Sequence, residues 1–205
     1  MPVLRALLAS LAFLLAGAAA FSAATDGFRA FTTESARRIA AREHPADIPD
    51  ITLQTQSGER IDLADFRGKW LLVDFIYTRC PTYCSALGGE FAQLQERLAA
   101  ALTQGRAQLL SISFDPAHDT PAELTAYRQR FRDPGSGWLA ARPVTPGGLG
   151  RLERAFGITV IPDGLGGYTH NAAVHLVDPR GRLVAIVGMS DPEAAVRALP
   201  RSLER

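Results

Sequence analysis

Lysine is nearly missing from this chain of 205 residues: Lys69 stands alone, and the remaining basic charge is carried by scattered arginines. Without the apolar stretch 1–24, which holds one arginine and no acid, 21 basic residues face 21 acidic ones. A near-neutral domain without clustered Lys or Arg lacks the electrostatic footprint of a nucleic-acid binder. Cysteine is as scarce, with two residues in the whole chain, which excludes a disulfide-dense secreted scaffold. No internal repeat is present, and no low-complexity tract beyond the N-terminal stretch. What the chain does have is apolar mass: 47% of it is hydrophobic, enough for one ordinary core and a single domain.

The N-terminus reads as a targeting segment. Arg5 precedes an apolar run from Ala6 to Phe21, and small residues follow at Ala18-Ala19-Ala20 and Ser22-Ala23-Ala24. Residues 1–24 are therefore expected to be a signal peptide or an N-terminal membrane anchor, since a full span needs about 20 apolar residues. No cysteine lies near the run, so a lipid anchor through an N-terminal Cys is not expected. Residues 25–49 read as a tether with a short helical stretch from Thr33 to Arg42, and residues 50–205 as the folded domain.

Order begins with a hairpin, Ile51–Thr55 and Arg60–Leu63, around a Ser57-Gly58 turn. Trp70–Tyr77 reads as a buried strand. After it, Leu87, Phe91, Leu94, Leu98 and Leu102 recur at helical spacing, predicting a helix from Pro81 to about Ala101, with Cys80 as its cap. A second β-α pair follows: a strand over Ala107–Phe114 and a helix opened by Asp119/Thr120-Pro121. Trp138–Ala140 is a short strand, and Thr145-Pro146 starts a helix carrying Leu149, Leu152 and Phe156. Gly157 to His170 reads as an irregular loop. A hairpin, Asn171–Asp178 with Leu183–Gly188, and a final helix capped by Asp191 close the chain. This order predicts an α/β fold: a thioredoxin-like central mixed sheet with flanking helices and an added N-terminal β-hairpin.

The two cysteines sit where the first central strand hands over to a helix. A helix N-terminus stabilises thiolate, and residues at i and i+4 project from one helical face. Cys80 is expected to be exposed at the cap, with Cys84 one turn deeper. Such a pair can close a disulfide or present two thiolates to one ion. Two thiolates are too few for a tight site, so a third ligand must come from elsewhere. Of the four histidines, His44 lies in the tether, His118 in a polar loop after a strand, and His175 inside a strand. His170 ends the long loop and is the leading candidate; a solvated or core histidine is the ordinary alternative for each.

Three blocks carry a family resemblance: Gly68–Cys84 with its Cys80-Pro81-Thr82-Tyr83-Cys84 turn, Ser111–Pro121 with Asp115-Pro116-Ala117-His118-Asp119-Thr120, and His170–Gly181. With their spacing they span most of residues 50–190, and the chain resembles the Sco/SenC family of exported or membrane-tethered copper proteins. The resemblance implies a metallochaperone that binds one copper ion, Cu(I) or Cu(II), through Cys80, Cys84 and His170. It also implies a role in cytochrome c oxidase assembly. The partners so implied are the copper subunit of a respiratory oxidase or another copper chaperone, with a thiol reductant. The implied location is the periplasm or the periplasmic face of the inner membrane. Around the histidine the family often has an acid, a hydroxyl residue and an aromatic, where this chain has Thr169, Asn171 and His175; the departures touch the surroundings of the ligand.

Other readings of the same residues stay open. Zinc can take the same three ligands plus water. Cys80 and Cys84 can serve as a redox pair in a thiol–disulfide oxidoreductase or thiol peroxidase, or as a structural disulfide of little consequence in so short a loop. Asp74, Asp115 and Asp119 read as capping and loop acids, Trp70, Phe75 and Phe114 as core, and Tyr77 with Tyr83 as a docking rim around the sulfurs.

Overall fold

The seven-residue run Trp70–Ile76 is buried beyond its first residue, which suits a strand covered on both faces. It is the middle of the architecture. A computed structural model describes residues 2–80, 83–131, 137–164, 166–188 and 192–203, with main chain only for 83–87 and 192. The chain divides into two units, Met1–Glu43 and His44–Arg205.

In the first unit, α1 (Pro2–Ala24) has no buried residue and is the one helix among the described residues long and apolar enough to cross a membrane. It ends in a reversal with Asp26, Gly27 and Phe28 at positive φ, where Gly27 N–H bonds back to Ser22 O at 2.8 Å. Helix α2 (Thr33–Glu43) starts at a reciprocal cap, Ser35 N–H to Thr32 Oγ1 and Thr32 N–H to Ser35 Oγ.

The second unit runs β1 (Ala46–Asp47), β2 (Thr52–Thr55), β3 (Arg60–Asp62), a 3-10 turn, β4 (Trp70–Ile76), α3 (Tyr83–Arg97), α4 (Ala99–Thr103) and β5 (Ala107–Ser113). It continues with α5 (Pro121–Gln129), β6 (Trp138–Pro143), α6 (Pro146–Phe156), β7 (Val160–Pro162) and β8 (Tyr168–His170). It ends with β9 (Ala173–Val177), β10 (Arg182–Gly188), α7 (Pro192–Arg197) and a last 3-10 turn. Among the described residues eight strands form one sheet in the order β1-β10-β9-β4-β5-β6-β2-β3. The pairs β4–β5 and β5–β6 are parallel and the others antiparallel, giving the mixed thioredoxin-like sheet with its leading β2–β3 hairpin. Thr120 and Thr145 cap α5 and α6 through their hydroxyls, each with proline following, and Gly157 ends α6 in the left-handed region at φ 64°.

The expected elements form, with four differences, the first being β1 (Ala46–Asp47), which lies in the stretch expected to be a tether and pairs with β10. The helix after the cysteines breaks at Leu98, and its expected start at Pro81 lies outside the described residues, as does the Asp191 cap. Strand β6 extends to Pro143 because both its edges are used, by β5 and by β2. The stretch from Gly157 to His170 is no plain loop: β7 and β8 make a separate two-stranded ribbon, Val160 opposite His170.

Alternation along β4 aims Phe75 and Asp74 at opposite faces. Phe75 meets Phe156 of α6 edge-on, ring centroids 5.2 Å apart. On the other face Phe91 of α3 packs on Trp138 at 5.7 Å. Helix α3 is also held at Gly88, where an added Cβ would lie 2.2 Å from the Phe131 ring. Gly88→Ala should therefore destabilise the protein, overpacking of about 1–3 kcal/mol exceeding a helix-propensity gain of about 1 kcal/mol. A denaturant midpoint at or above that of the parent would show that the ring moves aside freely.

Candidate metal centre

The chain leaves β4 at Ile76 and turns through Tyr77, Thr78 and Arg79 to Cys80, whose N–H donates to Tyr77 O at 3.3 Å. Two aspartates from the segment after β5 hold this turn. Asp119 is fully buried and accepts from Thr78 N–H at 3.1 Å, Thr78 Oγ1 at 2.7 Å and Ser113 Oγ at 2.5 Å. Burial pushes its carboxyl up, against the pull of those donors. Asp115 is also pushed up by burial, but hydrogen bonds from His118 Nδ1 (2.8 Å) and Arg79 (2.7 Å) outweigh it and hold the carboxyl below its usual value. Arg130 closes the other side, donating to Thr78 O at 3.1 Å.

This bracing explains a departure from expectation. Cys80 is buried, 5% exposed, not displayed at a helix cap, because Thr78 is drawn inward onto Asp119. Helix α3 carries Cys84 in its first turn; the Cys84 side chain lies outside the described residues, with Pro81, Thr82 and the side chain of Tyr83. Asp119→Ala would strand the Thr78 N–H and two buried hydroxyls, at a cost of about 2–3 kcal/mol. Urea unfolding should show that loss, and an unchanged midpoint would mean the turn does not depend on this carboxylate.

The three candidate histidines separate cleanly. His175 is a core residue: fully buried on β9, it lies between the Phe75 and Phe156 rings at 5.7 and 5.4 Å and donates through Nδ1 to Val73 O at 3.2 Å. His118 is half-exposed and bonded to Asp115. His170 comes from β8 to the end of β4, where its Nε2 lies 3.2 Å from Phe75 O and its ring packs on Phe114 at 4.9 Å. Burial lowers the pKa of its imidazole, with the Phe75 bond pulling the other way, so the neutral, metal-binding form is favoured.

The ribbon carrying His170 is fastened at two places. Tyr77, expected at an exposed rim, is instead 4% exposed, and its hydroxyl oxygen accepts from Tyr168 N–H at 3.3 Å. Gly167 allows that approach, since a Cβ there would stand 3.1 Å from the Tyr77 hydroxyl and 2.6 Å from the Asp163 carboxylate. At the base, Asn171 accepts from Thr159 N–H and donates to Gly157 O at the end of α6. Tyr77, Phe114 and Tyr168 form an aromatic cluster with centroids 5.2–5.6 Å apart beside His170. Phe114 and Tyr168 carried no sequence signal beyond that of core aromatics.

Asp74 departs from its expected loop role. It is fully buried in β4, and neither carboxyl oxygen lies within hydrogen-bond geometry of a partner among the described residues, Ser111 acting on it only as a nearby hydroxyl. Burial, with Glu90 of α3 adding to it, pushes its pKa up to about 7, offset in part by Ser111 opposite it on β5. Among the described residues no group of three His, Cys, Asp or Glu side chains is arranged to hold a metal, a set that does not include the Cys84 side chain.

The model of the SCO1/SenC family matches residues 40–203. A Stutzerimonas stutzeri protein described as a candidate copper-binding protein is 30% identical over 187 residues, 89% of this chain and 88% of that one. The structure of Bradyrhizobium japonicum ScoI with copper bound aligns with a TM-score of 0.63 at 25% identity, covering 76% of this chain and 99% of that one. BsSco, a member of the Sco family of cytochrome c oxidase assembly proteins, shares the fold with a TM-score of 0.67 at 21% identity, covering 78% and 95%.

Proposed function

The chain belongs to the SCO1/SenC family, and from that premise we propose that it binds one copper ion through Cys80, Cys84 and His170 and assists assembly of the copper centre of a respiratory cytochrome c oxidase. What supports the reading is the docking of the His170 ribbon against the strand that leads into Cys80, through Phe75 O and the Tyr77 hydroxyl. The donor types fit the cargo. Thiolates suit Cu(I), and an added imidazole admits Cu(II), whose charge two thiolates balance. Both sulfurs must be reduced to bind, so the cycle needs a thiol reductant. Relatives named for copper binding and for oxidase assembly point to an oxidase copper subunit, or another copper chaperone, as partner. Helix α1, long and apolar enough for a signal segment or a membrane anchor, supports a location in the periplasm or on the periplasmic face of the inner membrane.

Anaerobic copper titration of the reduced full chain in detergent tests this. One equivalent should bind with a sulfur-to-copper charge-transfer band, and Cys80→Ser or Cys84→Ser should remove the band. Retention of stoichiometric binding in either serine variant would overturn the ligand set.

A further inference from the structure

Strand register sets three polar side chains in a row. Gln54 of β2 stands opposite Arg60 of β3 on one side and Arg142 of β6 on the other, while its neighbours Leu53 and Thr55 are buried. Directly opposite residues project to the same face of a sheet, so the row reads arginine, amide, arginine. With Pro116, Pro143 and Val144 it lines a cleft of about 410 Å³.

Neither arginine has a carboxylate partner among the described residues. Arg142 is pinned by neutral acceptors: Nη1 donates to Pro116 O at 2.7 Å, and Nε and Nη2 donate to Gln54 Oε1 at 3.2 and 2.9 Å. Arg60 is exposed at the edge of the sheet. The acids close to it in sequence are engaged elsewhere, Glu59 accepting from Ser57 and Asp62 from Thr52. No acid lines the cleft. Two guanidinium charges beside one cleft repel each other, and an anion between them relieves that repulsion and gains charge-assisted hydrogen bonds. Arg142 is already held and the prolines fix their own φ, so binding has little order to impose.

The cleft takes more than a bare anion. Its volume falls in the range of about 300–1,000 Å³ usual for sites of larger ligands. Ala117, Val144 (39% exposed) and Pro146 give its wall an apolar part that an inorganic ion would leave uncovered. The cleft also adjoins the candidate metal centre. Pro116, which Arg142 holds, follows Asp115, the carboxylate bonded to Arg79 beside Cys80.

We propose that this cleft seats an acidic peptide segment of the protein to which copper is passed, with carboxylates on Arg60 and Arg142 and a small apolar side chain against Val144. That the partner takes copper rests on the function proposed above; the acidic-peptide chemistry does not.

The probe is an acetylated, amidated peptide of alternating Glu and Ala, added to the reduced, metal-free, 15N-labelled full chain in non-ionic detergent at low salt. The amides of Gln54, Ala117, Arg142 and Val144 should shift, and the same peptide with Gln in place of Glu should leave them unmoved. Sodium chloride should weaken binding by screening the exposed charges. Arg60→Glu and Arg142→Gln should each lower affinity about 10-fold or more, the loss of one charge-assisted hydrogen bond. Arg60 is exposed, so its variant reads the site even where loss of the Pro116 contact disturbs Arg142→Gln. Arg180→Glu, on the β9–β10 turn at the other end of the sheet, should leave affinity unchanged.

Equal binding of the Gln peptide overturns the proposal, as does an affinity untouched by Arg60→Glu. Inorganic phosphate matching the Glu peptide also overturns it and makes the cleft a small-anion site. If the peptide fails to bind while copper titrates as described above, the docking proposal falls and the copper function stands. If the peptide binds and copper does not, the cleft stands as an acidic-peptide site and its partner is no copper client.

Discussion

His170→Ala should weaken copper binding by more than about 100-fold, a larger loss than removal of a supporting group from around a ligand brings. Two sulfurs remain to hold Cu(I), so residual weak binding is expected, whereas Cu(II) loses the imidazole that lets it bind. Folding should change little. His170 is half-buried on a three-residue strand of a separate ribbon, outside the eight-stranded sheet. Competition titration against a chelator of known affinity measures the loss, and oxidase maturation in cells should fall in parallel. A protein acting only as a thiol reductase would behave differently, needing both cysteines and not His170. Full oxidase maturation with His170→Ala, together with failure of either cysteine variant, would transfer the function to dithiol exchange.

The second large effect lies beneath the site. With its pKa raised to about 7 from 3.8, Asp74 binds its proton more tightly in the folded protein than in the unfolded chain. Its contribution is therefore fully present below pH about 4, declines as pH rises, and is gone once pH passes the folded value near 7. A displacement of that size corresponds to about 4 kcal/mol. Asp74→Asn should flatten the decline between pH 4 and 7 and leave the variant more stable than the parent at pH 8, less what an amide loses by being buried without partners. Urea unfolding at intervals across that range measures both curves. An unchanged slope in the variant would place the titrating group elsewhere, and Glu90, the acid that faces Asp74 from α3, would be the next to replace.

Where the sequence was legible, a long periodic signal made it so. Trp70–Ile76 is apolar enough to be a buried strand in any context, and Phe91, Leu94 and Leu98 all reach the core as their spacing requires. The β7–β8 ribbon was not legible, because three-residue strands flanked by glycine and proline fall below any periodicity. Its function as the seat of His170 depends on Tyr77, 91 positions before Tyr168. The burial of Cys80 was hidden for a similar reason: local capping logic puts that sulfur in water, and a carboxylate 41 residues beyond Thr78 draws the turn inward. The family resemblance is what singles out His170 among four histidines as the proposed ligand, and the fold gives two of the others different commitments. His175 is committed to the core and His118 to Asp115. Asp74 carried no local mark either, since an acid in an apolar strand looks the same in sequence whether or not it is paired.

The margins of the sheet have a bearing on recognition. One margin is β1, two residues long, and the other is β3, three residues long with Arg60 and Asp62 exposed. Neither offers the long, bare row of amides and carbonyls that an incoming chain needs for β-augmentation. On the copper proposal, a client is therefore not expected to add a strand to this sheet, which leaves recognition to side chains and turns and makes it sensitive to point substitutions among them.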